Sequence, residues 1–290
     1  MKTLIVSHDA GGAYSLASYV LNNPGEYLFE LEGPAIQIFK SQILNIRSYE
    51  KDDLRDVELV LTGTSSESML EIEFIARARV NGIRTISLLD HWVNYVERFT
   101  REGSVFLPDE IWVTDEIAHK IASSVFDELI VRKVPDFLLM DIAKFLEKNE
   151  VAYSEFGRAL FISENISGRN TSVKLPSLPY DEYDCFDHLL GQLPSLFPNI
   201  ELLNVRLHPS QDAKVYEIFK KMALKSGIAT SLSNRVLAED LQEAHVVFGI
   251  SSRAFATSIL LGKDSICCIP GGFHTQLPLP NIRYLSEVLP

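Results

Sequence analysis

The sequence predicts an α/β protein with two doubly wound domains, each a parallel sheet with helices on both faces. Short apolar runs recur along the chain, and they alternate with segments of helical periodicity. Strands that are apolar on both sides are typical of parallel sheets buried between helices. The alternation breaks at a charged stretch, residues 141–155, and then restarts. We therefore expect one Rossmann-like domain at residues 1–150, a second at 151–290, and a central cleft that both face.

The first half contains predicted strands that are short, apolar and bounded by polar or turn-forming residues. These strands are LIVS (4–7), ELVLTG (58–63), TISLLD (85–90) and EIWVTD (110–115). Helical segments follow the first, second and fourth of them: AYSLASYVL, a segment that ends at Asn81-Gly82, and EIAHKIASSVF. A strand, a helix and a further strand in succession are typical of a parallel sheet.

The second half repeats this pattern after the charged stretch. Its predicted strands are ALFISE (159–164), LLNVRLH (202–208), HVVFGI (245–250) and SICCI (265–269). The predicted helices are FDHLLGQLPSLF, VYEIFKKMALKSG and SSRAFATSILLG, and Gly227 and Gly262 end the last two. A polar stretch with prolines, residues 168–184, is a predicted loop.

The charge balance and the cysteines exclude several classes of protein. The chain carries 27 Lys and Arg against 39 Asp and Glu, a net charge of −12, so we expect no general nucleic-acid binding. A local pocket can still hold a small anion. The three cysteines, two of them adjacent, indicate neither a disulfide framework nor a zinc site. Because we find no signal peptide and no apolar run of about 18 residues, we expect no membrane span and a cytoplasmic location.

Polar side chains follow most of the predicted strands. Ligands in open parallel sheets bind beyond the carboxyl ends of the strands, so we expect these side chains to line the cleft. They are His8 and Asp9 with Gly11 and Gly12, Thr64, Asp90 and His91, Glu164, Arg206 with His208, and Ser251 and Ser252 with Arg253.

The loop after the first strand combines two ionisable residues with two glycines. Gly11 and Gly12 allow the backbone to approach a ligand, and the N-terminus of the helix favours negative charge. His8 and Asp9 are the candidates for a general base, because each can accept a proton from an attacking hydroxyl. The alternative is a tight turn in which Asp9 caps the helix. The loop lacks the GxGxxG dinucleotide fingerprint.

The segment GISSRAFATSILLG indicates an anion site. Ser251 and Ser252 stand between an apolar strand and a helix, so their hydroxyls and the first helical amides can bind phosphate oxygens together. The alternative is that one serine is an ordinary N-cap. A cap explains one serine, but it does not explain the second serine and Arg253.

The segment RLHPS ends another strand. Pro209 cannot extend the ladder, so the strand stops there and His208 lies at its end. Arg206 points to the same side as His208 if the strand is regular, so it is a further candidate for binding the phosphate. An imidazole can donate a hydrogen bond to a phosphate. The alternative is a surface histidine beside a turn proline.

Two segments of the first half are open to more than one interpretation. Asp90 and His91 end an apolar strand and are predicted cleft residues without an assigned role, whereas Trp92 is a predicted core residue. Thr64 lies in TGTSSES, which is either a second anion-binding turn or a capping box. The chain contains neither a GxSxG elbow nor a P-loop.

The C-terminal residues resemble a known family. The block AEDLQEAHVVFGISSRAFATSILLGKDSICCIP is similar to the nucleotide-sugar-binding half of GT-B-fold glycosyltransferases. RLHPS, followed about forty residues later by SS, resembles the HP and SS/ST motifs of bacterial sialyltransferases, polysialyltransferases and CDP-glycerol glycerophosphotransferases. In those families the motifs bind the donor nucleotide and its phosphate. The resemblance implies these roles for His208, Ser251 and Ser252.

The N-terminal half is similar to these enzymes in layout only. GT-B enzymes place a glycine-rich loop after the first strand for the acceptor, often with the catalytic base. His8, Asp9, Gly11 and Gly12 occupy that position. The paired acidic residues that sialyltransferases carry before a glycine are not found here, since Asp9 stands alone before the glycines.

The resemblance implies a GT-B-like glycosyltransferase. Such an enzyme transfers a sugar, with inversion, from a nucleotide-sugar to a hydroxyl of a glycan acceptor in surface-polysaccharide or glycoconjugate synthesis. We expect no cofactor besides the donor and no metal, because no DxD-like acidic pair stands at a strand end. One alternative is a nucleotide-sugar 2-epimerase or hydrolase of the same fold. Another is a non-catalytic protein that binds a nucleotide or a glycan.

Overall fold

The chain divides into two compact units. The computed structural model describes residues 1–50, 54–65, 68–149, 157–171 and 177–288, with only the backbone of Arg169. Unit 1 is Met1–Asp141 and unit 2 is Ile142–Pro290, and the division falls within a helix, Phe137–Lys148. The predicted domain boundary at residues 150 and 151 lies outside the described residues.

Unit 1 is a parallel sheet with helices. The strands of its main sheet are β1 (Lys2–Ser7), β2 (Glu26–Leu31), β3 (Leu59–Thr62), β4 (Arg84–Leu88), β7 (Glu110–Val113) and β8 (Ile130–Lys133); β5 (Thr100–Arg101) and β6 (Ser104–Val105) form a small antiparallel pair. The helices are α1 (Ala10–Asn22), α2 (Gly33–Gln42), α3 (Leu70–Val80), α4 (Glu116–Val125) and α5 (Phe137–Lys148), which continues into unit 2. The main sheet has the order β2-β1-β3-β4-β7-β8, and all its neighbouring strands are parallel.

Unit 2 repeats this architecture. Its strands are β9 (Gly157–Ile162), β10 (Ile200–Arg206), β11 (Ala229–Leu232), β12 (Val246–Gly249), β13 (Ser265–Cys267) and β14 (Arg283–Tyr284). Its helices are α6 (Ile166–Asn170), α7 (Glu182–Leu196), α8 (Lys214–Lys225), α9 (Leu237–Glu243) and α10 (Arg253–Leu260). The strands lie in the order β11-β10-β9-β12-β13-β14 and are parallel throughout. The predicted fold class, two doubly wound α/β units, is confirmed.

Strand β1 is buried on both faces of its sheet. Ile5 packs in one apolar cluster with α1 and α2, whereas Leu4 and Val6 pack in a second cluster with α3. This division follows from the alternation of side chains along a strand. Each such buried side chain contributes about 1.5–3 kcal/mol. The packing therefore fixes the carboxyl end of β1, from which the candidate site continues.

The sequence does not predict the strands at the edges of the sheets. β2 and β8 are the edges of the sheet in unit 1, and β11 and β14 are the edges in unit 2. β2, EYLFEL, contains two glutamates, and β8, IVRK, is mostly exposed. Charged residues on an edge strand oppose pairing with other chains, so such a strand lacks the continuous apolar pattern of a central one.

Within the described ranges, no helix is long and apolar enough to cross a membrane.

Candidate functional site

Three neighbouring strands of unit 1 end beside one another. β1, β3 and β4 are adjacent and parallel, so the residues that follow them share one edge of the sheet. His8 and Asp9 follow β1, Thr64 and Ser65 follow β3, and Asp90 follows β4. The structure thus brings together the polar groups that the sequence places at separate strand ends.

His8 and Asp9 form a close pair. The His8 Nδ1 atom lies 2.7 Å from Asp9 Oδ1. Because an ionised carboxylate only accepts hydrogen bonds, Nδ1 carries the hydrogen and Nε2 is the basic nitrogen. Ser65 Oγ donates to the same Asp9 oxygen at 2.8 Å. Asp9 stands at the N-cap of α1, but its side chain makes no capping hydrogen bond, so the capping alternative does not describe this residue.

The electrostatics of this pair favour His8 as the base. The hydrogen bond to Asp9 raises the pKa of His8, although burial opposes the rise. Burial acts to raise the pKa of Asp9. The hydrogen bonds from His8 and Ser65 and the charge of Arg98 act in the opposite direction and outweigh burial, so the pKa of Asp9 is lowered. Asp9 therefore stays ionised and orients the imidazole, while His8 has the higher affinity for a proton.

Gly11 and Gly12 lie in the first turn of α1, not in the loop before it as predicted, and they allow close packing inside unit 1. A Cβ atom on Gly11 would lie 1.9 Å from Asp90 Oδ2, and one on Gly12 would lie 3.3 Å from the Gly63 Cα. The glycines therefore let α1 approach the ends of β3 and β4. Packing alone accounts for both residues, and their role in binding an acceptor stays a prediction.

Arg98 links the residues that follow β3 and β4. Its Nη1 donates to Thr64 Oγ1 at 2.9 Å and to Asp90 Oδ1 at 3.3 Å. Thr64 and Asp90 are both buried, so the guanidinium compensates a carboxylate that is withdrawn from water. His91 packs edge to face against Trp92, with ring centroids 5.5 Å apart. Trp92 is buried, as predicted.

Glu71 supports the His8 loop and is not among the predicted site residues. This residue of α3 is buried, and its Oε1 accepts the backbone N–H of His8 at 2.8 Å. Burial raises the pKa of Glu71 to about 7. The sequence contains a signal for it, because Glu71 lies on the same helical face as the buried Ile75 and Ala78. A glutamate on the apolar face of a predicted helix indicates a buried carboxyl.

Arg101 supports the loop after β3, and it too is not among the predicted site residues. Its guanidinium is buried and donates to the carbonyl oxygens of Ser65 and Ser68 at 2.9 and 2.7 Å. This arginine therefore fixes the backbone from which Ser65 reaches Asp9. Arg101 lies in a strand of two residues, which is too short to produce a periodic pattern.

A comparable edge occurs in unit 2. β10, β9 and β12 are adjacent and parallel, so their carboxyl ends lie together. Glu164 follows β9, His208 follows β10, and Ser251 and Ser252 follow β12. The predicted donor-binding residues thus share one edge of this sheet.

Each of the two serines has a partner within unit 2. The backbone N–H and the hydroxyl of Ser251 donate to the two carboxylate oxygens of Glu164, the hydroxyl at 3.0 Å. Ser252 is the N-cap of α10 and accepts the Phe255 N–H at 3.3 Å. The N-cap alternative is therefore correct for Ser252. Ser251 offers two donors to an anionic group, which in this structure is Glu164. Arg253 is the first residue of α10 and is buried.

The hydrogen bonds of the β10–α8 loop define the tautomer of His208. Its Nδ1 accepts the Ser210 backbone N–H at 3.2 Å and lies 2.8 Å from Ser210 Oγ. A neutral imidazole that accepts at Nδ1 carries its hydrogen on Nε2, so Nε2 is a donor. Gln211 accepts the His208 backbone N–H and donates to the Glu164 carbonyl, each at 2.9 Å. Gln211, which is not a predicted site residue, therefore links two loops of the edge.

Arg206 forms an ion pair with the buried Asp240. Its Nη1 donates to Asp240 Oδ2 at 2.8 Å and to the Arg235 carbonyl at 2.7 Å. The Asp240 side chain is only 1% exposed. Arg206 therefore has a structural role beside α9, and its predicted phosphate contact stays a prediction.

The described residues contain no group of three or more His, Cys, Asp or Glu side chains that is arranged to hold a metal ion. The cysteines Cys185, Cys267 and Cys268 are buried free thiols. Burial raises the pKa of Cys267 to about 12. A thiol with so high a pKa is a poor nucleophile at neutral pH.

Solved structures match the fold of this chain, whereas no protein-family model and no curated protein sequence matches it. A UDP-GlcNAc 2-epimerase from Neisseria meningitidis, bound to UDP-GlcNAc, has a TM-score of 0.66 at 12% identity, covering 92% of this chain and 82% of that chain. A UDP-GlcNAc 2-epimerase from Methanocaldococcus jannaschii, in complex with UDP-GlcNAc and UDP, gives 0.62 at 12% identity over 92% and 83%. A glycosyltransferase from Rickettsia africae gives 0.54 at 11% identity over 92% and 78%.

At these identities the similarity concerns the fold. The chain has the GT-B fold. Proteins with this fold that match the chain include both 2-epimerases and a glycosyltransferase, so the GT-B fold by itself leaves the reaction open. The similarity of RLHPS and SS to the motifs of sialyltransferases is not tested by these structures and stays a prediction.

Proposed function

We propose that the protein is an inverting, metal-independent glycosyltransferase that moves a sugar from a nucleotide-sugar to a hydroxyl of a glycan acceptor. The observation that supports this proposal is the His8–Asp9 pair at the carboxyl edge of unit 1. An imidazole whose Nδ1 hydrogen is bound by a carboxylate acts as a general base through Nε2. Transfer to a hydroxyl needs such a base, because the attacking oxygen must lose its proton.

The proposed step is a direct displacement. The Nε2 atom of His8 accepts the proton of the acceptor hydroxyl while the oxygen attacks the anomeric carbon. The bond between that carbon and the phosphate oxygen breaks, and the nucleotide leaves with the electron pair. Asp9 stabilises the imidazolium that forms. A positioned base of this kind contributes about 10²–10⁴-fold to the rate.

In this proposal unit 2 binds the donor. The Nε2–H of His208 and the two donors of Ser251 bind the leaving phosphate, where negative charge develops. The N-terminus of α10 adds a favourable dipole. When the donor binds, its phosphate replaces the Glu164 carboxylate as the acceptor of the Ser251 hydrogen bonds. UDP-GlcNAc bound in proteins of the same fold supports a nucleotide-sugar as the donor class. The acceptor class is a glycan of a surface polysaccharide or glycoconjugate.

Turnover assays on three variants test the proposal. The protein is incubated with UDP-, GDP-, CDP- and CMP-sugars and a panel of oligosaccharides, and the release of nucleotide and the mass of the products are measured. We expect His8→Gln and Asp9→Asn to lose turnover while they keep the affinity of the wild type for the free nucleotide. His119→Gln is the matched control in unit 1, because that imidazole contacts the Val131 carbonyl of the sheet edge. Equal turnover in His8→Gln and His119→Gln contradicts the role of His8.

A second candidate function is a nucleotide-sugar 2-epimerase or hydrolase. The observation that favours it is a second carboxylate, Asp90, held by Arg98 at the same edge as His8 and Asp9. Two such groups serve an epimerisation, because one removes a proton from one face of the sugar carbon and the other returns a proton to the opposite face. Incubation of the donor in D₂O without acceptor separates the functions. Deuterium at sugar C2 identifies an epimerase, and free nucleotide with water as the acceptor identifies a hydrolase. Nucleotide binding without turnover under any condition identifies a non-catalytic binder.

A further inference from the structure

Glu71 is placed to influence the proposed base without contacting the substrate. The residue is 3% exposed. Its Oε1 accepts the His8 backbone N–H at 2.8 Å. The displacement described above does not use this carboxyl, yet Glu71 holds the backbone of the residue that accepts the proton.

The second oxygen of this carboxyl indicates its ionisation state. Glu71 Oε2 is buried and has no hydrogen-bond partner among the described residues. An ionised carboxylate would leave a charged oxygen there without solvation or a donor, which is unfavourable. A protonated carboxyl places only a neutral group in that position. The buried Oε2 therefore favours the neutral acid, whereas the backbone N–H groups of His8 and of Glu71 itself favour the carboxylate. Burial is the larger effect and raises the pKa of Glu71 to about 7, so the carboxyl changes its charge near neutral pH.

The charged groups that face Glu71 come from the β1–α1 loop and from β5. The charge of Asp9 raises the pKa of Glu71, and the charge of His8 lowers it. Arg101 on β5 also interacts electrostatically with Glu71. On α3 itself, Glu73 is exposed. The influence is mutual, because the charge of Glu71 raises the pKa of His8, as do the charges of Asp9 and of Glu32, the residue before α2.

We propose that Glu71 is a positioning residue for the base: one carboxyl oxygen fixes the His8 backbone, and the carboxyl and the imidazole gain and lose protons as a coupled pair. This inference rests on the proposed function for its consequence, since His8 is the base there. An ionised Glu71 makes His8 a stronger base, and a neutral Glu71 makes it a weaker one. The reactivity of His8 near neutral pH is thereby set by a group outside the substrate site.

An NMR titration of the ligand-free protein tests this coupling. Histidine is labelled with ¹³C at the imidazole ring, the His8 signal is assigned with His8→Gln, and its position is followed against pH. Coupled groups titrate in more than one step, so we expect a two-step curve for His8 in the wild type. In Glu71→Gln the amide acceptor is kept but the ionisation is removed. Above about pH 5, where Asp9 stays ionised because its pKa is lowered, we expect this variant to give a single step with a lower midpoint than the wild type.

Glu73→Gln is the matched control, because Glu73 is exposed on the same helix. This variant should reproduce the two-step curve of the wild type. A single-step curve in the wild type, or a curve in Glu71→Gln that equals the wild-type curve, overturns the proposal. If Glu71→Gln does not fold, the glutamate side-chain carboxyls of the wild type are labelled with ¹³C instead. One signal should then titrate at about 7 and move in His8→Gln. Titration of every glutamate near the ordinary value of 4.5 also overturns the proposal.

These titrations need neither a donor nor an acceptor. A protein without transferase activity still gives a two-step or a single-step curve for His8, so failure of the proposed function leaves the coupling measurable. Conversely, an active transferase in which Glu71→Gln leaves the His8 curve unchanged keeps its proposed function and loses this inference.

Discussion

Gly33, the first residue of α2, lies against the imidazole of His8. Its φ is +50°, and a Cβ atom at this position would lie 2.6 Å from His8 Nε2. Two such atoms need a separation of about 3.5 Å, so Gly33→Ala requires the nitrogen to move by about 1 Å. Since a displacement of about 1 Å at a catalytic group costs about 10²-fold in rate, we expect turnover to fall by that factor.

Gly82→Ala separates this contact from backbone strain. Gly82 has a φ of +66°, and no atom of the described residues lies within 4 Å of its Cβ position. Both variants place an alanine in the left-handed region, which costs roughly 1–2 kcal/mol of unfolding free energy. Only Gly33→Ala also overpacks a neighbour, at a further cost of about 1–3 kcal/mol. Urea unfolding, turnover and the NMR signal of His8 measure these effects. Equal losses in the two variants, or an unmoved His8 signal in Gly33→Ala, would refute the reasoning.

Three substitutions test other contacts. The folded-state pKa of Glu71 is raised from 4.5 to about 7, so its contribution to stability is present below the unfolded value and is lost as pH rises through the folded one. One pKa unit corresponds to about 1.36 kcal/mol, so the wild type should lose about 3 kcal/mol of unfolding free energy as the pH rises between these two pKa values. Glu71→Gln should not show this loss. If urea unfolding of the two proteins depends equally on pH, the expectation is contradicted. Arg206→Gln removes the cation beside the buried Asp240 carboxylate, to which, among the described residues, only the Ser233 hydroxyl then donates, and should lower the unfolding free energy by about 3–5 kcal/mol. Unchanged stability with weaker nucleotide binding would show a ligand role instead. Glu164→Gln removes the negative charge bound by Ser251, so calorimetry should show tighter binding of UDP, whereas weaker binding would mean that Glu164 supports the site.

The general layout of the candidate site follows from the sequence, because it depends on local patterns. Strands such as LVLT and VVFG are buried along their whole length, so a central parallel strand can be recognised in the sequence as an uninterrupted apolar run. Once the strands are known to be parallel, the residues after them must share an edge. His8, Asp9, Thr64 and Asp90 are found together for this reason, and the N-cap at Ser252 follows from a local preference as well.

The partners of these residues do not follow from the sequence, because they are decided by packing across long separations. The His8 amide meets Glu71 from 63 positions away, and Ser251 meets Glu164 from 87 positions away. Nothing local indicates which polar group satisfies which donor. The sequence also leaves His8 and Asp9 equal as candidate bases. Their hydrogen bond, with its opposite effects on the two pKa values, distinguishes them.

The packing of Gly11 against Asp90 restricts how this protein can diverge. Any side chain at position 11 would meet the Asp90 carboxylate, so a change there requires a shorter residue at position 90. A shorter residue would in turn deprive Arg98 of its anionic partner. Positions on separate structural elements are therefore constrained to change together. In homologous sequences, a larger residue at position 11 should be accompanied by substitutions at positions 90 and 98. Such correlated substitutions would be detectable in a sequence alignment without any structure.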